Sequence, residues 1–103
     1  MDLKEKNKII HEFMNKEWSN KKKFQLDYLN TYPSILWEVI EEIVKFKYDD
    51  GDTAYFRTFG MIDKETGMYM VRINRKALFQ ANTLKEATFN AIVDFCYLHK
   101  DNK

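Results

Sequence analysis

Residues 83–99 constrain this chain most, because they read as a helix with apolar side chains on two opposite sides. At about 100° per residue, Leu84, Ala87, Ala91, Phe95 and Leu98 fall on one side, and Phe89, Val93 and Tyr97 on the other. One side can enter a core. The other must also be covered, since leaving three such side chains in water forgoes roughly 1.5–3 kcal/mol each. Either another part of the chain covers Phe89, Val93 and Tyr97, or a partner does, whether a different protein or a second copy in a homodimer. The helix start is marked by Thr83-Leu84-Lys85-Glu86, a capping box in which the Thr hydroxyl and the Glu carboxylate satisfy each other's backbone N–H groups.

The rest of the pattern makes an α+β chain. Ile9, Ile10, Phe13 and Met14 recur at helical spacing and predict a first helix over 3–15, with Trp18 just beyond. Ser19-Asn20-Lys21-Lys22-Lys23 follows as a polar, basic loop, and 24–29 alternates apolar and polar and reads as extended. A second helix has Thr31 or Tyr32 near its cap and Pro33 in its first turn, where the missing N–H costs little. Its apolar face is Ile35, Leu36, Val39, Ile40, Ile43 and Val44; its polar face is Glu38, Glu41, Glu42 and Lys45.

Asp49-Asp50-Gly51-Asp52 then reads as a turn, because its carboxylates lack the twelve-residue spacing of a calcium loop. Residues 53–62 and 68–74 predict two strands of a hairpin around Asp63-Lys64-Glu65-Thr66-Gly67, whose glycine supplies a positive φ. In the second strand Tyr69, Val71 and Ile73 face one way and Met68, Met70 and Arg72 the other. A short third strand is expected at 77–81. The expected fold is therefore helix, helix, antiparallel hairpin with a short third strand, and C-terminal helix, arranged like an α-β-α sandwich. The first helix or the 24–29 segment could cover the spare surface, on the second face of the sheet or over the last helix, and because the first helix has its own apolar face to bury, cover from within the chain is favoured over a partner.

At 103 residues the chain fits one domain, with 1–30 as its N-terminal helix and basic loop. An apolar fraction of 45% and an aromatic fraction of 16% suit a globular rather than a disordered chain. Cys96 is the single cysteine, so no intramolecular disulfide forms, and its place on the helical pattern reads as a small buried hydrophobe in a reducing cytosol. The first residues lack the apolar run of a signal peptide, and no stretch approaches the roughly 20 apolar residues of a membrane span. The expectation is a cytoplasmic protein with no membrane partner.

The residues name no reaction. His11 and His99 stand near opposite ends, belong to no metal-ligand spacing, and read as surface or rim histidines. Cys96 and His99 lie three apart on one helix, but a largely apolar helical face offers a nucleophile no evident cleft. Glu38, Glu41 and Glu42 read as a solvated helix face, and the three glycines make neither a phosphate loop nor a dinucleotide fingerprint. No catalytic set, cofactor or metal is implied, and the chain reads as non-enzymatic.

Net charge is +1, which argues against a global basic field. Charge is nonetheless segregated. Residues 1–25 hold seven basic and four acidic groups, 26–66 hold four and nine, and 67–103 hold six and three. The order helix, strands, helix from Pro33 onward is also that of double-stranded-RNA-binding domains. A nucleic-acid surface could be built from Lys21, Lys22, Lys23, Arg72, Arg75 and Lys76, with Tyr69 for stacking. Against it, the last helix opens without a lysine cluster and the second helix is acidic.

Asn7-Lys8-Ile9-Ile10-His11-Glu12-Phe13-Met14, then Ile35-Leu36-Trp37-Glu38-Val39-Ile40-Glu41-Glu42-Ile43, then Thr83-Leu84-Lys85-Glu86-Ala87 with Ala91-Ile92-Val93-Asp94-Phe95, resemble the phage ABA (α-β-α) sandwich domain family of small phage and prophage proteins. The resemblance spans nearly the whole chain through core and cap positions. It carries fold rather than chemistry, and Lys21-Lys22-Lys23 falls outside the shared pattern. What it implies is a phage or mobile-element accessory protein in a bacterial cytoplasm. Such a protein would bind a host or phage protein, as an inhibitor of host defence of the anti-CRISPR kind does. On that reading Phe89, Val93 and Tyr97 would anchor the contact.

Overall fold

The computed structural model describes residues 1–14, 27–30, 33–74 and 77–99. In chain order these form α1 (Leu3–Phe13), α2 (Pro33–Val44), β1 (Met61–Ile62), β2 (Tyr69–Val71), β3 (Phe79–Ala81) and α3 (Leu84–His99). The strands make one antiparallel sheet in the order β1-β2-β3, with Ile62 opposite Tyr69, Tyr69 opposite Ala81, and Val71 opposite Phe79. The α+β arrangement that the patterning predicts is the one found. Among the described residues, no helix is long and apolar enough to cross a membrane.

Local chemistry sets the helix ends. The Asp2 carboxylate accepts from the Glu5 amide at 2.8 Å and opens α1. The Thr83 hydroxyl accepts from the Glu86 amide at 3.1 Å, so α3 begins where the capping box places it. In α2, Leu36, Val39 and Ile43 are buried as expected, whereas Val44 in the last turn is 43% exposed.

The core is organised around α3. This helix lies on β2 and β3, α1 runs along it, and α2 packs against it as well. Ala87, Thr88, Phe89, Ala91, Ile92, Val93, Phe95 and Cys96 are all buried, an arc of roughly two thirds of the circumference at about 100° per residue. A helix apolar nearly all round is a central one. Alanines at 87 and 91 leave room for α1, whose Phe13 sets its ring edge-on to Phe95 at 5.9 Å. On the other side, Val93 and Phe79 of β3 border one hollow, together with Lys6 of α1.

The first hairpin strand, expected over 53–62, is interrupted. Phe56 bridges Ile73 and the Arg57 amide donates to the Arg72 carbonyl, but pairing resumes only at Met61. Between them the chain turns out of line: the Met61 amide donates to the Thr58 carbonyl at 3.0 Å, and Gly60 sits at φ +86°, a conformation open to glycine. Phe59 rides on that turn. The hairpin tip follows the prediction, with the Asp63 amide donating to the Met68 carbonyl and Gly67 at φ +72°.

Of the stretch expected to be extended, 24–26 lies outside the described residues, and Tyr28-Leu29-Asn30 form a turn instead. Asp27 decides this locally, since its Oδ1 accepts the Leu29 and Asn30 amides at 3.1 Å each. Asn15, Trp18, Thr31 and Tyr32 also lie outside the described residues.

Candidate functional site

Two of the three side chains in the α3 stripe proposed as a docking surface are buried. Phe89 is 1% exposed and Val93 6%, sealed by the sheet and the neighbouring helices; Tyr97 remains 54% exposed. The helical angles explain the split. Tyr97 falls with Glu86 on the exposed arc of α3, whereas Phe89 and Val93 lie on the covered arc. Spare apolar surface on α3 is thus used inside the chain, and Phe89 and Val93 are corrected from contact residues to core residues.

Of the two histidines, expected at the surface or rim, His99 is half-buried and His11 departs from that reading. His11 is buried, with Nδ1 and the Tyr28 hydroxyl sharing a hydrogen bond at 3.0 Å. Asn7, one helical turn earlier, accepts the Tyr28 amide at 3.0 Å and donates to Asp27 Oδ1 at 3.3 Å. This network fastens the 27–30 turn to α1. Burial works against the charged Asp27, but hydrogen bonds from the Asn30 side chain and amide, the Leu29 amide and Asn7 outweigh it and hold the carboxyl below its usual range. Burial, with lesser effects from Cys96 and Glu38, pushes the Tyr28 hydroxyl up to about 12.

An alkaline titration tests this placement. Below about pH 10 Tyr28 is neutral in both states and its contribution is intact. Between about 10 and 12 the unfolded chain ionises while the folded one resists, so stability falls across that window. Tyr28→Phe removes this component and flattens the loss measured by urea unfolding at pH 9 and 11. A residual slope of the same sign belongs to Tyr48, which burial also raises.

His99 lies in an aromatic group, its ring centroid 4.5 Å from Phe95, 4.7 Å from Phe46 and 5.5 Å from Tyr48. Tyr48 in turn donates to Asn74 Oδ1 at 3.0 Å, and Asn74, at φ 54°, also bonds Thr53 and Tyr55. Cys96 is fully buried. These groups join elements of the fold, and among the described residues no three or more His, Cys, Asp and Glu gather as a metal site.

The residues of the nucleic-acid reading divide. Lys21, Lys22, Lys23, Arg75 and Lys76 lie outside the described residues. Arg72, just past the end of β2, is half-buried, while Tyr69 of β2 packs against the core. Tyr69 is therefore corrected from a stacking platform to an inward-facing side chain.

What the structure opens instead is a hollow between α2, the start of α3 and the Phe59 turn. Leu36, Trp37 and Ile40 line it from α2, Leu84, Lys85 and Thr88 from α3, and Phe59 closes the end, around a volume of about 200 Å³. The Thr88 hydroxyl donates to the Leu84 carbonyl at 2.7 Å and is satisfied within its own helix. Trp37 is 54% and Phe59 41% exposed. Phe59 stands edge-on to Phe56 with centroids 6.0 Å apart, which fixes its ring. Sequence periodicity puts Trp37 just off the apolar face of α2, and nothing in it brings Phe59, twenty-two positions later, alongside. Set against known proteins, the chain matches no family model, no curated protein and no solved structure.

Proposed function

We propose that this chain is a non-enzymatic protein-binding module and that it docks its partner through Trp37 and Phe59. The observation that carries this is a half-exposed tryptophan and phenylalanine flanking one apolar hollow. Paired aromatic side chains at a hollow supply large contact area at small entropy cost, and tryptophan is the residue most enriched among binding hot spots. The hollow is lined mainly by apolar side chains, Leu36, Trp37, Ile40, Phe59 and Leu84, which suits recognition of an apolar group. Resemblance to small phage proteins supplies the biological setting in this reading: an accessory protein that occupies a host machine, as an inhibitor of host defence would.

Affinity capture from bacterial lysate with the wild type, Trp37→Asp and Phe59→Asp is the test. Both side chains are substantially exposed, so circular dichroism and melting should change little. Recovery of the partner should fall by at least about thirtyfold, the loss that corresponds to about 2 kcal/mol at a hot spot. A folded double variant that retains the partner at wild-type affinity would remove this site.

A further inference from the structure

We infer that the sheet face turned away from α3 binds single-stranded nucleic acid, with Tyr55 as the stacking ring and Arg57 and Arg72 as the phosphate clamp. Burial alternates along both stretches that build this face. Ala54 is buried and Phe56 packs against the core, while Tyr55 and Arg57 are exposed. Val71 and Ile73 are buried, and Arg72 between them is half-buried. Side chains alternate across extended backbone, so Tyr55, Arg57 and Arg72 share the face opposite the core. The register then sets them side by side. Phe56 bridges Ile73, the Arg57 amide donates to the Arg72 carbonyl at 2.7 Å, and the Asn74 amide donates to the Tyr55 carbonyl at 2.8 Å. Arg57 and Arg72 are thus directly opposed, with Cβ atoms about 5 Å apart, and Tyr55 is the diagonal neighbour of Arg72.

Like charges directly opposite repel. Neither guanidinium has a hydrogen-bond or ion-pair partner among the described residues, and Arg72 Nε is buried with none. Unpaired buried donors are rare because each costs stability, and an acceptor supplied from outside the chain explains this one. An oxyanion between the two forks cancels the repulsion and takes bidentate hydrogen bonds. Charge on the sheet is one-sided: residues 53–62 and 66–84 contain Arg57, Arg72, Arg75 and Lys76 and no Asp or Glu. The carboxylates fall in the turns at either end, where Asp50 accepts the Asp52 amide, and Asp63 accepts the Glu65 amide and the Gln80 side chain. An open face with one ring and one clamp encloses no free nucleotide. Its contacts add up along a strand, and a ring stacks only on a base that is not already paired.

Fluorescein-labelled twelve-nucleotide oligo(dT) and oligo(U) test this with the full chain by fluorescence anisotropy at low ionic strength. At least one should bind, more tightly than a duplex of the same length and less tightly as salt rises; which one binds tells DNA from RNA. Arg57→Gln with Arg72→Gln should weaken binding at least tenfold, and the slope of log affinity against log salt should become shallower by about 0.7 for each arginine removed. Tyr55→Ala should weaken binding about tenfold, whereas Tyr55→Phe keeps the ring and the affinity. Lys4→Gln with Lys8→Gln makes the same change of charge at exposed positions of α1 and should leave binding as in the wild type. Circular dichroism confirms each fold, and the single Arg57→Gln and Tyr55→Ala variants, both at exposed positions, decide the matter if Arg72→Gln is unstable. The inference is overturned if neither single strand binds, if binding survives Arg57→Gln or Tyr55→Ala unchanged, or if the α1 control loses as much. Preference for the duplex, or equal competition by free UMP or TMP at the same nucleotide concentration, overturns it too.

Discussion

Phe89→Asp is expected to unfold the protein at 25 °C. The side chain is 1% exposed in the middle of α3, so a carboxylate there has neither water nor a cation to balance it. Either the charge is buried, at a cost of several kcal/mol, or the carboxyl is protonated and its solvation lost with the phenyl packing. Truncating a core phenylalanine alone costs about 3–5 kcal/mol, and a domain of this size has only about 5–15 in total. Far-ultraviolet circular dichroism and the disappearance of a cooperative thermal transition are the measurements. Phe89→Leu keeps an apolar side chain in place and should remain folded with a lowered midpoint. A folded, monomeric Phe89→Asp would mean that this face of α3 is open after all.

Phe95→Ala should lower the thermal midpoint by on the order of 15–30 °C, from a loss of about 3–5 kcal/mol. Phe95 is 1% exposed, and its ring meets Phe13 of α1 at 5.9 Å, Phe46 just past α2 at 5.4 Å and His99 at 4.5 Å. The Phe13 and Phe46 contacts join two other stretches of chain to α3, and His99 stands one turn along the same helix, so the cavity left by truncation cannot close by a movement of one side chain. Edge-to-face ring pairs lose their own increment as well, about 0.5–1.5 kcal/mol beyond area. Scanning calorimetry on Phe95→Ala and Phe95→Leu separates cavity from ring geometry. Loss of less than about 1 kcal/mol in the alanine variant would show that the aromatic group is not a keystone of the core.

How much of the site was legible follows from what kind of contact each residue makes. The Thr83 hydroxyl, which accepts the Glu86 amide, and Gly67, at positive φ, act within a few positions of the chain, and their effect can be read from spacing alone. Trp37 and Phe59 act together only because the chain buckles at residues 58–60 and turns Phe59 toward α2. Gly60 was the available cue for that buckle, and strand alternation runs straight through it. His11 illustrates the opposite error. A polar residue on an apolar helical face reads as a rim position until a partner is known, and its partner, Tyr28, arrives seventeen residues later.

The sequence by itself determined the helices, the hairpin tip, the α+β class and the need to cover two sides of α3, because periodicity and caps are properties of neighbouring residues. Only the tertiary structure decided what does the covering. The double stripe is compatible with a partner or with the chain's own layers, since burial depends on which surfaces meet and not on which are apolar. With the sheet on one side and α1 on the other, α3 is satisfied internally, and the exposed aromatic pair moves to Trp37 and Phe59, where α2 and an interrupted strand converge.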